Sequence, residues 1–460
     1  MTDAASSTNP PMKKGGADAF RKDGKDSEEG KDGKEGKDSD EAPLVARLGP
    51  GLITGAADDD PSGIATYSQA GAQFRFALVW TLLLTTPLMI AVQLVSARIG
   101  WVTGRGLAAN MARLCPRWLT VSVVLALVAA NTINIAADIT AMADATKLLA
   151  GGPKVAYVVG YGLISVAAQV YFSYERTVRI LKYLTLALFA YVAVILAIRV
   201  PWGRALAESA APWSHLQRGE LKNYAAMVVA MLGTTISPYL FFWQATQEVE
   251  ELKRRPLSNE QRQAPQRAAL HLRAIRQDTV VGMVLSNVIA MCIVVAAAVT
   301  LNLHGHTDVH SSADAAQALQ PVAGRFAFAL FALGIVGTGL LAVPVLAGSA
   351  AYAVSEVYGW RAGLSRRFQD ARGFYAIIVA ATVLGTLLSV FQADPIAALV
   401  WSAVINGVIA VPVMAIMLLI GRSQALMGAL VVPRRVQVLA WFATGLMALA
   451  SLVMFASYAL

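Results

Sequence analysis

Two short stretches of this chain carry residues that could do chemistry. Residues 51–66 read GLITGAADDDPSGIAT, and residues 230–242 read AMLGTTISPYLFF. Each is an apolar run interrupted by proline beside glycine and small hydroxyl residues. Proline removes a backbone donor and clashes with the preceding turn, and glycine costs extra backbone entropy, so a helix breaks at both places. A break frees carbonyl oxygens. The first break adds the carboxylate of Asp60, and the second adds the hydroxyls of Thr234 and Ser237. The half-helix before Asp60 also ends in the negative pole of its dipole. The set is oxygen-rich and anionic, which suits hard cations such as Mg²⁺, Mn²⁺ or Ca²⁺. From Asp60 to Gly63 and from Gly233 to Pro238 there is no Met, Cys or His, so nothing soft favours iron, copper or zinc.

The three consecutive acids are not equivalent. Neighbouring helical residues point about 100° apart, so Asp58, Asp59 and Asp60 cannot all face one ion. Asp60, at the break itself, is the expected ligand. Asp59 is expected to line a vestibule or pair with a neighbour, and Asp58 is a weaker candidate for the same. Tyr67 and Gln69, just after the break, could pack across the site.

These residues need a scaffold, and composition says what kind. Of the 460 residues 56% are hydrophobic and 15% charged, against roughly 25% charged in soluble chains. Apolar runs recur from end to end, which reads as an all-α polytopic membrane protein. Eleven spans are expected, near 48–72, 76–96, 118–143, 153–172, 180–199, 224–245, 279–301, 325–354, 374–392, 396–420 and 437–459. Residues 1–44 are charged and of low complexity, without the apolar stretch a secretory signal needs, and read as a disordered cytoplasmic tail. The net charge of +9 follows the side on which Lys and Arg collect. Twenty-one of the 38 lie after even-numbered spans, eight on the opposite side and nine ahead of the first span, Arg47 among them. That bias places the N-terminus in the cytoplasm and, after eleven spans, the C-terminus outside. It also gives the basic charge a reason other than nucleic acid. Cys115 and Cys292 form no zinc or disulfide pattern, and no nucleophile–base pair or nucleotide loop suggests an enzyme.

The broken spans are the first and the sixth. If spans 1–5 and 6–10 are inverted repeats, the breaks occupy corresponding positions, which points to the central site of a transporter. Other polar residues fall inside spans. Asp138 in span 3 could act near the site or pair with Arg366 and Arg367. Asn406 in span 10 could bond a neighbouring helix or reach a hydrated ion. His304, His306, Asp308 and His310 sit in an outer loop that matches no standard zinc spacing.

The order of several motifs resembles the Nramp divalent-metal transporters. After span 2 come Ala97-Arg98-Ile99-Gly100, Val102-Thr103-Gly104-Arg105 and Leu107-Ala108. Span 3 carries Ile135-Ala136-Ala137-Asp138, and span 8 carries Leu319-Gln320-Pro321-Val322-Ala323-Gly324 and Leu330-Phe331-Ala332-Leu333-Gly334. The resemblance runs from about 48 to 420. It implies a LeuT-like fold of two inverted five-helix repeats, over 45–222 and 223–421, with an eleventh helix over 422–460.

Departures from the family pattern are informative. The family's Asp-Pro-Gly-Asn is here Asp60-Pro61-Ser62-Gly63, so the acid remains and the amide ligand is replaced by Gly63. In span 6 the family's Ala, Met and Pro-His become Thr234, Ser237, Pro238 and Tyr239. The lost thioether resembles the Nramp-related magnesium transporters, a branch with an enlarged site for a partly hydrated ion. Mg²⁺ gives up its waters reluctantly, which agrees. The family's proton-carrying acids correspond to Asn131, Asp138 and Ala141, and its histidine to Tyr239, so little proton coupling is expected. The resulting expectation is a secondary importer of Mg²⁺ and/or Mn²⁺ in the plasma membrane. Its cation is substrate rather than cofactor: Asp60, Gly63, Thr234 and Ser237 bind it, and Asp59, Asp138, Tyr239 and Asn406 lie around them. Its only other surroundings are the bilayer, with no nucleic acid and no obligate protein partner. The alternatives are a proton-coupled Mn²⁺/Fe²⁺ importer, an amino-acid–cation symporter of the same fold, and a transporter-like sensor signalling through its tail.

Overall fold

The computed structural model describes residues 50–171, 186–212, 220–254, 258, 264–309, 311–392 and 394–459. The tail over 1–44, Arg176, Arg179, Lys182, His310 and part of the basic loop between spans 6 and 7 lie outside the described residues. Leu48–Leu460 form one compact unit.

The regular structure is helical. In chain order the helices are α1 (Pro50–Asp58), α2 (Pro61–Phe74), α3 (Val79–Thr103), α4 (Leu107–Leu114), α5 (Arg117–Ala150), α6 (Lys154–Tyr171), α7 (Phe189–Ala197) and α8 (Trp202–Ala210). There follow α9 (Leu221–Thr235), α10 (Pro238–Arg254), α11 (Pro265–Thr300), α12 (Ser312–Gln317), α13 (Gln320–Ala323) and α14 (Ala327–Tyr358). The last are α15 (Arg372–Val390), α16 (Pro395–Arg422), α17 (Gln424–Met427) and α18 (Arg434–Ala459). Among the described residues nine helical stretches are long and apolar enough to cross a membrane, α9 and α10 counting together as one. The first expected span is split into α1 and α2, each too short to count on its own. The fifth corresponds to α7. The helical stretch ending in α7 meets α8 at 110°, and α8 is not among the expected elements.

Both expected breaks are present, and local chemistry accounts for them. Asp60 leaves the helix with φ −73° and ψ 170° and caps α2 through its own carboxylate, with Pro61 at the first helical position. Ile236, at φ −122° and ψ 62°, separates α9 from α10, which starts at Pro238. At the far end of α2, Arg75 adopts φ 55°, an unusual conformation for a residue with a side chain. Its guanidinium lies 3.0 Å from Glu208 of α8, which also holds Arg204 at 2.8 Å.

Close helix packing through small residues fixes the halves of both broken spans, as expected where apolar lipid gives helices little drive to associate. A Cβ on Gly55 of α1 would stand 2.4 Å from the Gly282 carbonyl of α11, and one on Gly71 of α2 2.2 Å from the Val294 carbonyl. Both halves of span 1 therefore lean on α11. A Cβ on Gly233 of α9 would stand 2.1 Å from the Ala403 carbonyl of α16, and one on Gly100 of α3 2.1 Å from the Ala245 carbonyl of α10. The two halves of span 6 are thus held by different neighbours. The loop after α3 is locked as well. Gly104 closes α3 at φ 63°, and Glu356 of α14 accepts from the Ala109 N–H at 3.1 Å, capping α4.

Candidate cation site

Asp60 lies at the meeting point of four elements. Its Oδ1 accepts from the Gly63 N–H at 2.7 Å. Its Oδ2 accepts from Asn134 Nδ2 of α5 at 3.1 Å and from the Tyr239 hydroxyl of α10 at 3.2 Å. The same tyrosine hydroxyl is 3.2 Å from the Ala57 carbonyl, so its one proton is shared between two acceptors. A carboxylate only accepts, so Asn134 must present its nitrogen to Asp60 and its Oδ1 elsewhere. That Oδ1 accepts from Ser402 of α16 at 2.7 Å. Ser62, 3.2 Å from the Ser402 oxygen, donates in turn to the Leu399 carbonyl at 3.0 Å. Asp60 is 2% exposed, and none of its named partners carries positive charge.

Gly63 brings the two breaks together. A Cβ there would lie 3.2 Å from Thr234 Oγ1, 3.3 Å from Tyr67 Cε2 and 3.4 Å from the Asp58 carbonyl oxygen. The space of the missing side chain is therefore lined by two oxygens and one ring edge. Ser237 turns its hydroxyl back along the helix and donates to the Gly233 and Thr234 carbonyls, at 2.7 and 3.0 Å. Those carbonyls are consequently not left bare by the break, as the sequence suggested. Asn406 lies one helical turn beyond Ser402 on α16 and is buried; its Oδ1 has no hydrogen-bond partner among the described residues. The adjacent Gly407 is the close neighbour of Gly233, which places Asn406 beside the first half of span 6.

The three acids do not all face one point, but the angular step of a helix is not the reason: α1 ends at Asp58, so Asp59 and Asp60 lie in the break itself. Asp58 and Asp59 share the hydroxyl of Ser286 on α11, at 2.7 and 3.0 Å. Asp59 is buried rather than open to a vestibule. Among the described residues no group of three or more Asp, Glu, His or Cys could hold one metal, so any cation at Asp60 draws on hydroxyls, carbonyls and water. Asp138 is fully buried, and neither carboxylate oxygen has a hydrogen-bond partner among the described residues. It lies one helical turn beyond Asn134, which donates to Asp60. The alternative pairing with Arg366 and Arg367 does not form: both arginines stand exposed in the loop before α15, while Asp138 is in the interior of α5.

Several polar residues of the site were not singled out from the sequence. Asn134 and Ser402 each sit four residues before an expected candidate, Asp138 and Asn406. A second polar residue one turn away in an apolar helix is the signal that would have found them. Ser286 gives no such signal. Tyr67 is buried against the break, whereas Gln69 is half-buried and its Oε1 accepts from the Val309 N–H at 2.9 Å, tying α2 to the loop between α11 and α12. In that loop His304, His306 and Asp308 are exposed.

The fold and the site together define a polytopic α-helical membrane protein with two interrupted spans facing a buried carboxylate. Its family is equally definite. Residues 51–457 match the Natural resistance-associated macrophage protein-like (Nramp) family, and the chain belongs to it. A divalent metal cation transporter MntH of Verminephrobacter eiseniae is 29% identical over 308 residues, 65% of this chain and 65% of that protein. Another MntH, from Acidiphilium cryptum, is 27% identical over 398 residues, covering 84% of each. The chain thus spans about two thirds of the first relative's length. Among solved structures, a manganese transporter of Eremococcus coleocola bound to an aromatic bis-isothiourea compound superposes with TM-score 0.68 at 18% identity, over 90% of this chain and 87% of that one. A mutant of the same transporter gives 0.70 over 89% and 86%. At such identity the likeness speaks for the fold, and the all-α, interrupted-helix fold class read from the sequence stands.

Proposed function

We propose that the chain carries divalent cations across the cell membrane, with Mg²⁺ and/or Mn²⁺ as cargo. One observation carries this reading: a buried carboxylate, Asp60, stands at a helix break among hydroxyl, amide and carbonyl groups, with no cationic or soft partner. An anionic buried site without a counter-charge calls for a positive ligand. The names of the MntH relatives support divalent metal as the class of cargo.

The finer reading concerns hydration and protons. Asp60, Thr234, Gly63 and Ser237 offer few direct ligands, which favours an ion that keeps part of its water. Asn131, at a position where family members carry an acid, donates to the Leu346 carbonyl at 2.9 Å and to Ser349 at 2.8 Å. It ties α5 to α14 and does not titrate. Together with Tyr239 in place of histidine, this supports uptake with weak or no proton coupling. The two-repeat organisation and a cytoplasmic N-terminus with an external C-terminus belong to the same proposal. A second reading, proton-coupled uptake of Mn²⁺ or Fe²⁺, is favoured by Asp138, whose unpartnered carboxylate near Asp60 could carry a proton. Proteoliposomes loaded with a pH dye separate the two. Uptake of Mg²⁺ and Mn²⁺ without internal acidification fits the first, and acidification in step with Mn²⁺, with no Mg²⁺ uptake, rejects it.

A further inference from the structure

A cavity of about 560 Å³ opens between α3, α11 and α18, with no residue of either break in its lining. Its wall includes Pro87, Ile90, Leu94 and Leu439, and its rim carries Arg98, Arg273, Arg276 and Arg435. No acid lines it. A second recess of about 480 Å³ shares Arg273, Arg276 and Val280 with it and continues along α11. Among the described residues none of the four arginines forms an ion pair. Asp278, the nearest acid in sequence, instead accepts from the Gly51 N–H at 2.6 Å. Arg98 spends one donor on the Leu430 carbonyl at 2.9 Å, whereas Arg273, Arg276 and Arg435 are exposed.

All four arginines stand at one end of the helices that carry them: Arg98 near the end of α3, Arg273 and Arg276 before the apolar run of α11, and Arg435 at the start of α18. By the charge bias of the loops this is the cytoplasmic end. Leu439 and Val281, exposed by 41% and 42%, continue the apolar surface away from that rim. A ligand that fits must place a negative, oxygen-rich group at the membrane surface and hydrocarbon beneath it.

We propose that this groove binds an anionic phospholipid of the cytoplasmic leaflet, its phosphate held by Arg273, Arg276 and Arg435 and its acyl chains lying along Ile90, Leu94 and Leu439. Guanidinium groups suit phosphate through paired N–H donors, and basic recesses between membrane helices are suited to acidic headgroups. The proposal is independent of what the protein transports.

Native mass spectrometry on the full chain in detergent tests it, with phosphatidylglycerol, phosphatidylcholine and inorganic phosphate as probes. Phosphatidylglycerol is expected to bind in preference to phosphatidylcholine. The combined variant Arg273→Gln, Arg276→Gln, Arg435→Gln is expected to bind it on the order of 100-fold more weakly, since each surface arginine contributes about a factor of five. The variant Arg366→Gln, Arg367→Gln, which removes exposed arginines outside the groove, is expected to bind as the unaltered chain does. All three substituted arginines of the first variant are exposed, and monodisperse elution checks that it folds. Equal phosphatidylglycerol binding by the two variants overturns the proposal. So does displacement of the lipid by inorganic phosphate at millimolar concentration. A chain lacking residues 1–44 that binds the lipid far more tightly would assign the groove to that charged segment, and overturns it too.

Discussion

The Ser402 hydroxyl lies 2.7 Å from both the side-chain carbonyl of Asn134 and the Leu399 carbonyl, its one proton shared between them, and it supports the amide orientation that the Asp60 carboxylate imposes. The cation candidate is thus held by a relay from α16 through α5 to the break in span 1. Hydrogen bonds to charged groups are worth about 1.5–3 kcal/mol, so cutting the relay is expected to be felt as roughly 10- to 100-fold in the cation concentration needed for half-maximal uptake. Asn134→Ala removes the donor outright. Ser402→Ala leaves the amide in place but free to turn, and a smaller effect of the same sign is expected. Uptake titrations in proteoliposomes check both, and unchanged half-saturation in Asn134→Ala refutes the relay.

Asp60 itself admits a sharper expectation. Asp60→Ala removes the carboxylate that meets Gly63, Asn134 and Tyr239 and should abolish uptake while the protein still inserts and elutes as a single species. Uptake at normal affinity would sink the site assignment.

Gly63→Asn restores the amide found in the family pattern. Its Cβ would already stand 3.2 Å from Thr234 Oγ1 and 3.3 Å from the Tyr67 ring, so both neighbours must give way and the space for water shrinks. Mg²⁺ uptake is expected to fall more than Mn²⁺ uptake, because Mg²⁺ depends more on retained water. Competition of the two ions for uptake by the variant reads this directly; an unaltered ratio contradicts the hydrated-site reading.

Close packing gives a stability prediction. Gly100→Ala drives a methyl to 2.1 Å from the Ala245 backbone carbonyl, whereas Gly160 on α6 has nothing within 4 Å of the same methyl. Overpacking costs about 1–3 kcal/mol, so Gly100→Ala is expected to lower the melting temperature in detergent by several degrees. Gly160→Ala should leave it unchanged or raise it slightly, since alanine favours the helix. Equal melting temperatures would mean that α3 and α10 are not packed through Gly100.

Much of this arrangement was legible beforehand, for identifiable reasons. Proline and glycine inside apolar runs act locally, so the breaks at Asp60-Pro61 and Ser237-Pro238 could be read directly. The expectation that Asp60 stands apart from Asp58 and Asp59 holds for another reason than the angular step of a helix: Asp59 and Asp60 lie past the end of α1, and the Asp58 and Asp59 carboxylates meet on Ser286. What could not be read depends on helix pairing. Ser286 holds two acids from 227 or more residues away, and Ser402 reaches Asn134 across 268. Ser237 illustrates a different limit: its residue type offers an oxygen, but only the local turn shows that its hydrogen is returned to Gly233 and Thr234. The alternative considered for Asp138, pairing with Arg366 and Arg367, had the right charges and the wrong depth.

That depth makes Asp138 the test of coupling. It makes no hydrogen bond to a described residue, so any part it plays at the site acts through its charge. If cation entry is not tied to protons, Asp138→Asn removes a buried negative charge and should weaken cation binding, by about 10-fold where roughly 12 Å separates that charge from the cation at an effective dielectric near 20. The maximal rate and its insensitivity to external pH should persist. If Asp138 carries protons, the same variant should abolish the pH dependence of uptake and the accompanying acidification. Measuring Mn²⁺ uptake at several external pH values, with a dye inside the liposomes, distinguishes the outcomes. A steep pH dependence in the unaltered protein that vanishes in Asp138→Asn would overturn weak coupling and leave the proton-coupled reading in its place.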